Sequence, residues 1–234
     1  MQKYVPRVRS LTFHLEAPLY RNILRALRQS PVAQPPLPNL QRLDYRHVIP
    51  EDYHLLDIFF VPSLTDLTVE VDPAGFPDIS FISPLPASCP HLTSFRLFGY
   101  ESHEPLVATV SNVIMSLPHL QALHCDQLSQ AAITFVAWHS SLTELDISIP
   151  NDHAYNFSQF PHPTLPRMPP FSRIKSFRMN SVWLTTIGAF IRRSNSHLLV
   201  CVLRRAMHHH LKIWRWFSVS CQINGGMNPC NFFD

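Results

Sequence analysis

Apolar residues recur along this chain in a short phrase, apolar at its first, fourth and sixth positions and mostly polar between them. Clear copies are "PNLQRLDY" from Pro38, "PSLTDLTV" from Pro62, "PHLTSFRL" from Pro90 and "PHLQALHC" from Pro118. "PRVRSLTF" from Pro6, "SSLTELDI" from Ser140 and "PFSRIKSFRM" ending at Met179 are looser copies. The first apolar anchors are Val8, Leu40, Leu64, Leu92, Leu120, Leu142 and Ile174, at steps of 32, 24, 28, 28, 22 and 32 residues. Positions four and six share one face of an extended chain, because strand side chains alternate. Each phrase is therefore expected to be a short strand with one buried face.

The segments between phrases carry a different period. "LYRNILRALRQ" (19–29), "EPLVATVSNVIMSL" (104–117), "SQAAITFVAWH" (129–139) and "WLTTIGAFIRRS" (183–194) place apolar residues on one helical side. "DPAGFPDISFISPLPAS" (72–88) and "NDHAYNFSQFPHPTLPRMPP" (151–170) carry many prolines and are expected to be irregular loops. The proline before four of the phrases is expected to extend its neighbour and end the preceding helix.

One such unit buries too little to offset the entropy of ordering it, at roughly 1–2 kcal/mol per residue, so the copies must stack and share a core. Strand alternating with helix predicts an α/β fold with parallel strands. The period falls in the range of leucine-rich repeats. The expectation is a leucine-rich-repeat solenoid of about seven repeats over residues 1–199, with a curved parallel sheet on its concave side and helices and irregular loops on its convex side. Residues 200–234 depart from the phrase and are expected to be an atypical cap or a non-native tail.

Positions three, five and seven point away from the core and are expected to stack into columns on the concave face. They supply the candidate protein-binding residues Arg42, Asp44, Arg46, Asp66, Glu70, Arg96, Phe98, His124, Asp126, Glu144, Asp146 and Arg178. Their mixed sign suits a protein partner, and an exposed aromatic beside an arginine, as at Phe98 and Arg96, is typical of interface anchors.

Composition narrows the function classes. Hydrophobic residues make up 46% of the 234, enough for a core, and the 5 glycines leave little room for phosphate-binding loops. The formal charge of +3 resides in the tail, where Arg204, Arg205, Lys212 and Arg215 face Asp234 alone. The first 200 residues are neutral, which argues against nucleic acid as a partner. The five cysteines are too sparse for a disulfide framework. No signal peptide or stretch of 18 apolar residues occurs, so no membrane partner and a cytoplasmic or nuclear location are expected.

No nucleophile elbow, P-loop or zinc-protease motif is present, and the chain is not expected to be an enzyme. His208, His209 and His210 are neighbours that point apart, so neither a metal nor any cofactor is expected. "LKIWRWFSV" (211–219) is basic and aromatic, as a membrane-surface segment would be, but cap packing or a non-native tail is the expected reading.

"VPRVRSLTF", "LPNLQRLDY", "VPSLTDLTV", "CPHLTSFRL", "LPHLQALHC" and "WLTTIGAFIRRSNSHL" together resemble the leucine-rich-repeat region of fungal F-box proteins, over roughly residues 4–199. The resemblance implies a substrate-recognition subunit of a cullin-type ubiquitin ligase, with the repeats holding the protein to be modified. A Skp-type adaptor and a cullin are then implied as partners where the full gene carries an F-box. The F-box motif itself is not found in this chain, so adaptor binding attaches to no residue here. The alternatives are a scaffold or adaptor unconnected with ubiquitin, or a fragment without independent function.

Overall fold

A computed structural model describes residues 7–13, 22, 37–48, 56–71, 79–99, 104–149, 173–181, 200–207 and 215–222, the last two ranges by backbone pairing alone. The chain divides into two units, Met1–Asp126 and Gln127–Asp234. Both are α/β: the first has helices between parallel strands, and the second has a helix ahead of a parallel strand pair.

The first unit contains β1 (Ser10–Phe13), β2 (Arg42–Val48), β3 (Asp66–Val71), β4 (Ser94–Phe98) and β5 (Ala122–Cys125). They are hydrogen-bonded in sequence order, every pair parallel. The register superposes the phrases: Leu43 pairs with Leu67, Leu67 with Phe95, and Phe95 with Leu123. Those four side chains are fully buried, as are Tyr45, Val69 and Leu97 at position six. The anchors Leu40, Leu64, Leu92 and Leu120 are buried as well. The apolar pattern thus lies on one face of the sheet.

A carbonyl ladder holds this register. The position-two carbonyl of each phrase accepts two backbone N–H groups from the next. Gln41 N and Arg42 N donate to Arg9 O at 2.7 and 2.9 Å, and Thr65 N and Asp66 N to Gln41 O at 2.8 and 3.0 Å. Thr93 and Ser94 donate likewise to Thr65 O, and Gln121 and Ala122 to Thr93 O. The hydroxyls of Thr65 and Thr93 reinforce two rungs, donating to Gln41 O and Thr65 O.

Helices end shortly before Pro90 and Pro118, as expected, and three of the phrase prolines also form turns. Leu40 N donates to Leu37 O, Leu64 N to Val61 O and Leu92 N to Cys89 O, at 2.9–3.1 Å. Pro38, Pro62 and Pro90 are therefore second residues of tight turns, where their fixed φ is suited. The residue before each, Leu37, Val61 or Cys89, is buried, as is Leu117 before Pro118. This adds an apolar position outside the phrase.

Between β3 and β4, residues 79–88 are more regular than their prolines suggest. Ile79–Ile82 form a 3-10 turn and Leu85–Ser88 a single helical turn, α1. Pro84 is its N-cap and Pro86 lies in its first turn, where a missing N–H costs nothing. The expected helix after β4 is α2 (Glu104–Met115), which buries Val107, Val110, Val113 and Ile114.

The second unit opens with the other expected helix described, α3 (Gln130–Trp138), capped by Ser129 Oγ accepting from Ala132 N at 3.2 Å. It continues with parallel β6 (Glu144–Ile149) and β7 (Ser176–Ser181). The ladder recurs, with Lys175 N and Ser176 N both donating to Thr143 O. Antiparallel strands follow: β8 (Val200–Met207) and β9 (Arg215–Gln222), with β9 between β7 and β8. The phrase ends and the parallel pattern ends with it. Of the expected helix at 19–29 only residue 22, helical, is described, and the expected helix at 183–194 and loop at 151–170 lie outside the described residues. Among the described residues no helix is long and apolar enough to cross a membrane.

Two outcomes are expected from this packing. Phe95→Ala removes a fully buried ring and should cost about 3–5 kcal/mol, read as a lower denaturant midpoint. Burial pushes the Cys89 thiol up to about 12. Because the folded state holds its proton more tightly, this thiol favours folding fully below about pH 9 and progressively less as pH rises towards 12. Alkylation at pH 8 followed by peptide mapping should find Cys89 protected in the native chain and modified after denaturation.

Candidate functional site

The face opposite the core carries two of the three expected columns in register in the first unit, positions three and five, while a bulge after Tyr45 breaks the expected column at position seven between β2 and β3. Position three runs Ser10, Arg42, Asp66, Ser94, Ala122. Position five runs Thr12, Asp44, Thr68, Arg96, His124. At position seven Glu70 pairs with Phe98. In the second unit Glu144 pairs with Ser176, Asp146 with Arg178 and Ser148 with Asn180.

Many of these charges are matched within the face. Arg42 Nε lies 3.7 Å from Asp66 Oδ2, between neighbouring strands of one column. Arg46 donates to Asp44 through Nε at 3.1 Å and Nη2 at 3.3 Å. This hydrogen bond, then the charges of Asp44 and Glu70, raise the guanidinium pKa of Arg46. Arg178 Nη1 lies 3.4 Å from Asp146 Oδ2 in the second unit. Such exposed pairs contribute little to stability, about 0–1 kcal/mol, but they fix side-chain positions.

Burial sorts the candidates further. Arg42, Arg46 and Arg178 are exposed, and Asp66, Glu70, Arg96, Phe98, His124, Asp126, Glu144 and Asp146 are half-buried. Asp44 is only 7% exposed, because Arg46 folds over its carboxylate. It holds Arg46 rather than meeting a partner directly. Asp126 is also engaged internally, since its Oδ2 accepts the Gly99 backbone N–H at 2.7 Å.

Gly99 lies outside the repeat phrase and its columns. It follows β4 with φ +82°, in the left-handed region, and any β-carbon there would collide with the Val71 carbonyl oxygen. The strand-ending "FG" at Phe98 and Gly99 is the sequence signal that marks it. The backbone leaves the sheet there, next to the aromatic residue.

Arg96 is the exception among the arginines. Among the described residues its guanidinium has no acceptor, and its Nε is buried without a hydrogen bond. Ser94 Oγ, two residues earlier on the same strand face, is also buried and unbonded. A buried donor left unpaired costs about 1–3 kcal/mol, more when charged.

Two clefts lie off this face. One, of about 460 Å³, is lined by Arg7, Arg9, Asn39, Gln41 and Ser63 at the N-terminal ends of β1–β3. The other, of about 220 Å³, lies between α1 and α2, lined by Ser83, Pro86, Thr109, Asn112, Val113 and Ser116. Neither joins a nucleophile to a base: Ser63 Oγ is bonded to the carbonyls of Pro38 and Leu40, and Ser116 Oγ to Asn112 O. Among the described residues no three His, Cys, Asp or Glu side chains are grouped to hold a metal. His208, His209 and His210 lie outside the described residues.

Gly99→Ala should destabilise the chain by about 1–3 kcal/mol or more through the forced left-handed residue, lowering Tm by roughly 2–4 °C per kcal/mol in calorimetry. An unchanged Tm would contradict the backbone geometry at the end of β4.

Comparison with protein-family models, with curated proteins and with solved structures found no match to this chain, which leaves the chemistry of the face itself as the guide to function.

Proposed function

We propose that this chain is a protein-binding leucine-rich-repeat solenoid that holds its partner on the polar strand face, as the recognition part of an F-box-type ubiquitin ligase receptor. The observation that carries the binding reading is the register. Successive strands bring positions three and five into continuous columns, so residues scattered from 42 to 124 form one surface. That surface is polar, of mixed sign, and carries one half-buried aromatic, Phe98. Mixed charge around an aromatic and arginine is a composition enriched at interfaces, where a few such residues supply most of the affinity. The ligase connection rests on the repeat phrases alone.

The test is affinity purification of the tagged full chain from its native cell, followed by mass spectrometry. A face variant, Arg42→Glu with Arg46→Glu and Arg96→Glu, is run beside a control, Asn112→Glu, on the exposed side of α2. Partners retained by the control and lost from the face variant are expected, with adaptor and cullin subunits among those recovered. Partners recovered equally with both variants would contradict the face as the binding surface. A face-dependent partner without ligase subunits would leave a scaffold and remove the ligase connection.

A further inference from the structure

We propose that Arg96 and Phe98 form an acidic-anchor subsite, taking from the partner protein a carboxylate side chain flanked by an apolar one. This inference rests on the polar face being the partner-binding surface and specifies what that partner presents.

The charges around Arg96 carry the inference. On β4 its same-face neighbours are Ser94 and Phe98. Across the sheet it pairs with Thr68 on β3 and His124 on β5. None of these is a carboxylate. The carboxylates one step diagonal are Asp66, Glu70 and Asp126. Asp66 meets Arg42, Asp126 accepts from Gly99 N, and Glu70 is paired in register with Phe98. Arg42 and Arg46 thus have internal counter-charges, while the Arg96 guanidinium has no acceptor among the described residues.

A half-buried arginine with an unbonded Nε gains hydrogen bonds if it rotates towards an arriving carboxylate, which it can grip through two parallel N–H groups. Ser94 Oγ, also unbonded, lies on the same strand face. Phe98 supplies apolar contact beside the charge. Its position is set by Gly99, whose left-handed backbone is tied to Asp126.

The surrounding charges decide between an acidic protein segment and a polyanion. In the first unit Arg42, Arg46 and Arg96 stand among Asp44, Asp66, Glu70 and Asp126, three cations to four anions. A phosphate backbone needs a run of cations and would meet carboxylates on either side of Arg96. A single Asp or Glu beside a leucine or aromatic residue places one negative charge where one positive charge is unmatched.

The experiment selects a phage-displayed random peptide library on the folded full chain, then measures the affinities of selected peptides for variants. Circular dichroism verifies that each variant keeps its fold. Peptides with Asp or Glu next to an apolar residue are expected, losing at least ten-fold in affinity on Arg96→Gln. Arg96→Glu should instead select Lys or Arg at that position, and Phe98→Ser should weaken binding while the acidic preference remains. Peptides without an acidic residue, or bound equally by Arg96→Gln, would overturn the anchor. The face reading would survive that result if Arg46→Glu still abolished binding. Peptides indifferent to Arg42→Glu, Arg46→Glu and Arg96→Glu together would overturn the face reading too, and failure to enrich any peptide would overturn the anchor.

Discussion

The structure depends on one repeated backbone device: a carbonyl at the second position of a phrase that accepts two N–H groups from the following phrase. In the first unit this occurs at Arg9, Gln41, Thr65 and Thr93, and it recurs in the second at Thr143. A parallel strand pair can slide, and a slip of one residue would exchange the buried and solvent faces. The shared carbonyl, set just before the strand, fixes where each strand begins. Burial does the rest, since Leu43, Leu67, Phe95 and Leu123 reach the core together only in that register.

The polar face follows from the same constraint. Once positions four and six are buried, positions three and five must line up on the opposite face. The spacing between strands, about 5 Å, brings Arg42 to Asp66 and Arg178 to Asp146. These contacts explain why the face is ordered without being inert. Side chains of opposite sign on adjacent strands hold one another, and Arg96 is the cation whose strand neighbours offer it no carboxylate. Affinity on such a surface is expected to concentrate at that mismatch, with the matched pairs supplying fit.

Much of this was legible in the residues. The strands β1–β7, their buried positions and the order of columns three and five follow from the phrase, because period-two burial and a repeated anchor leave one consistent stacking, and α2 and α3 follow from the helical period between phrases. What was not legible concerns side-chain reach and backbone detail. Asp44 reads as one more exposed acid until Arg46 is seen folded over it, a choice of rotamer that no spacing encodes. Gly99 and Asp126 lie 27 residues apart, and their bond depends on how β4 ends. The prolines read as helix stops, although a Leu-Pro-x-Leu or Val-Pro-x-Leu string is equally a turn closed by the leucine N–H. The antiparallel strands at 200–207 and 215–222 carry no copy of the phrase, so their pairing with β7 has no signal in the repeat.

The central claim is the register that assembles the face, and cysteine cross-linking tests it most directly. Cysteines placed at Asp66 and Ser94, partners across β3 and β4, should form a disulfide under mild oxidation, because neighbouring strands place their α-carbons about 5 Å apart, within disulfide range. Cysteines at Asp66 and Arg96, one step diagonal at more than about 7 Å, should remain reduced. Peptide mapping reads both. A bridge in the first pair alone is the predicted result; a bridge in the second pair without one in the first would mean that the columns, and the face built from them, are misassigned.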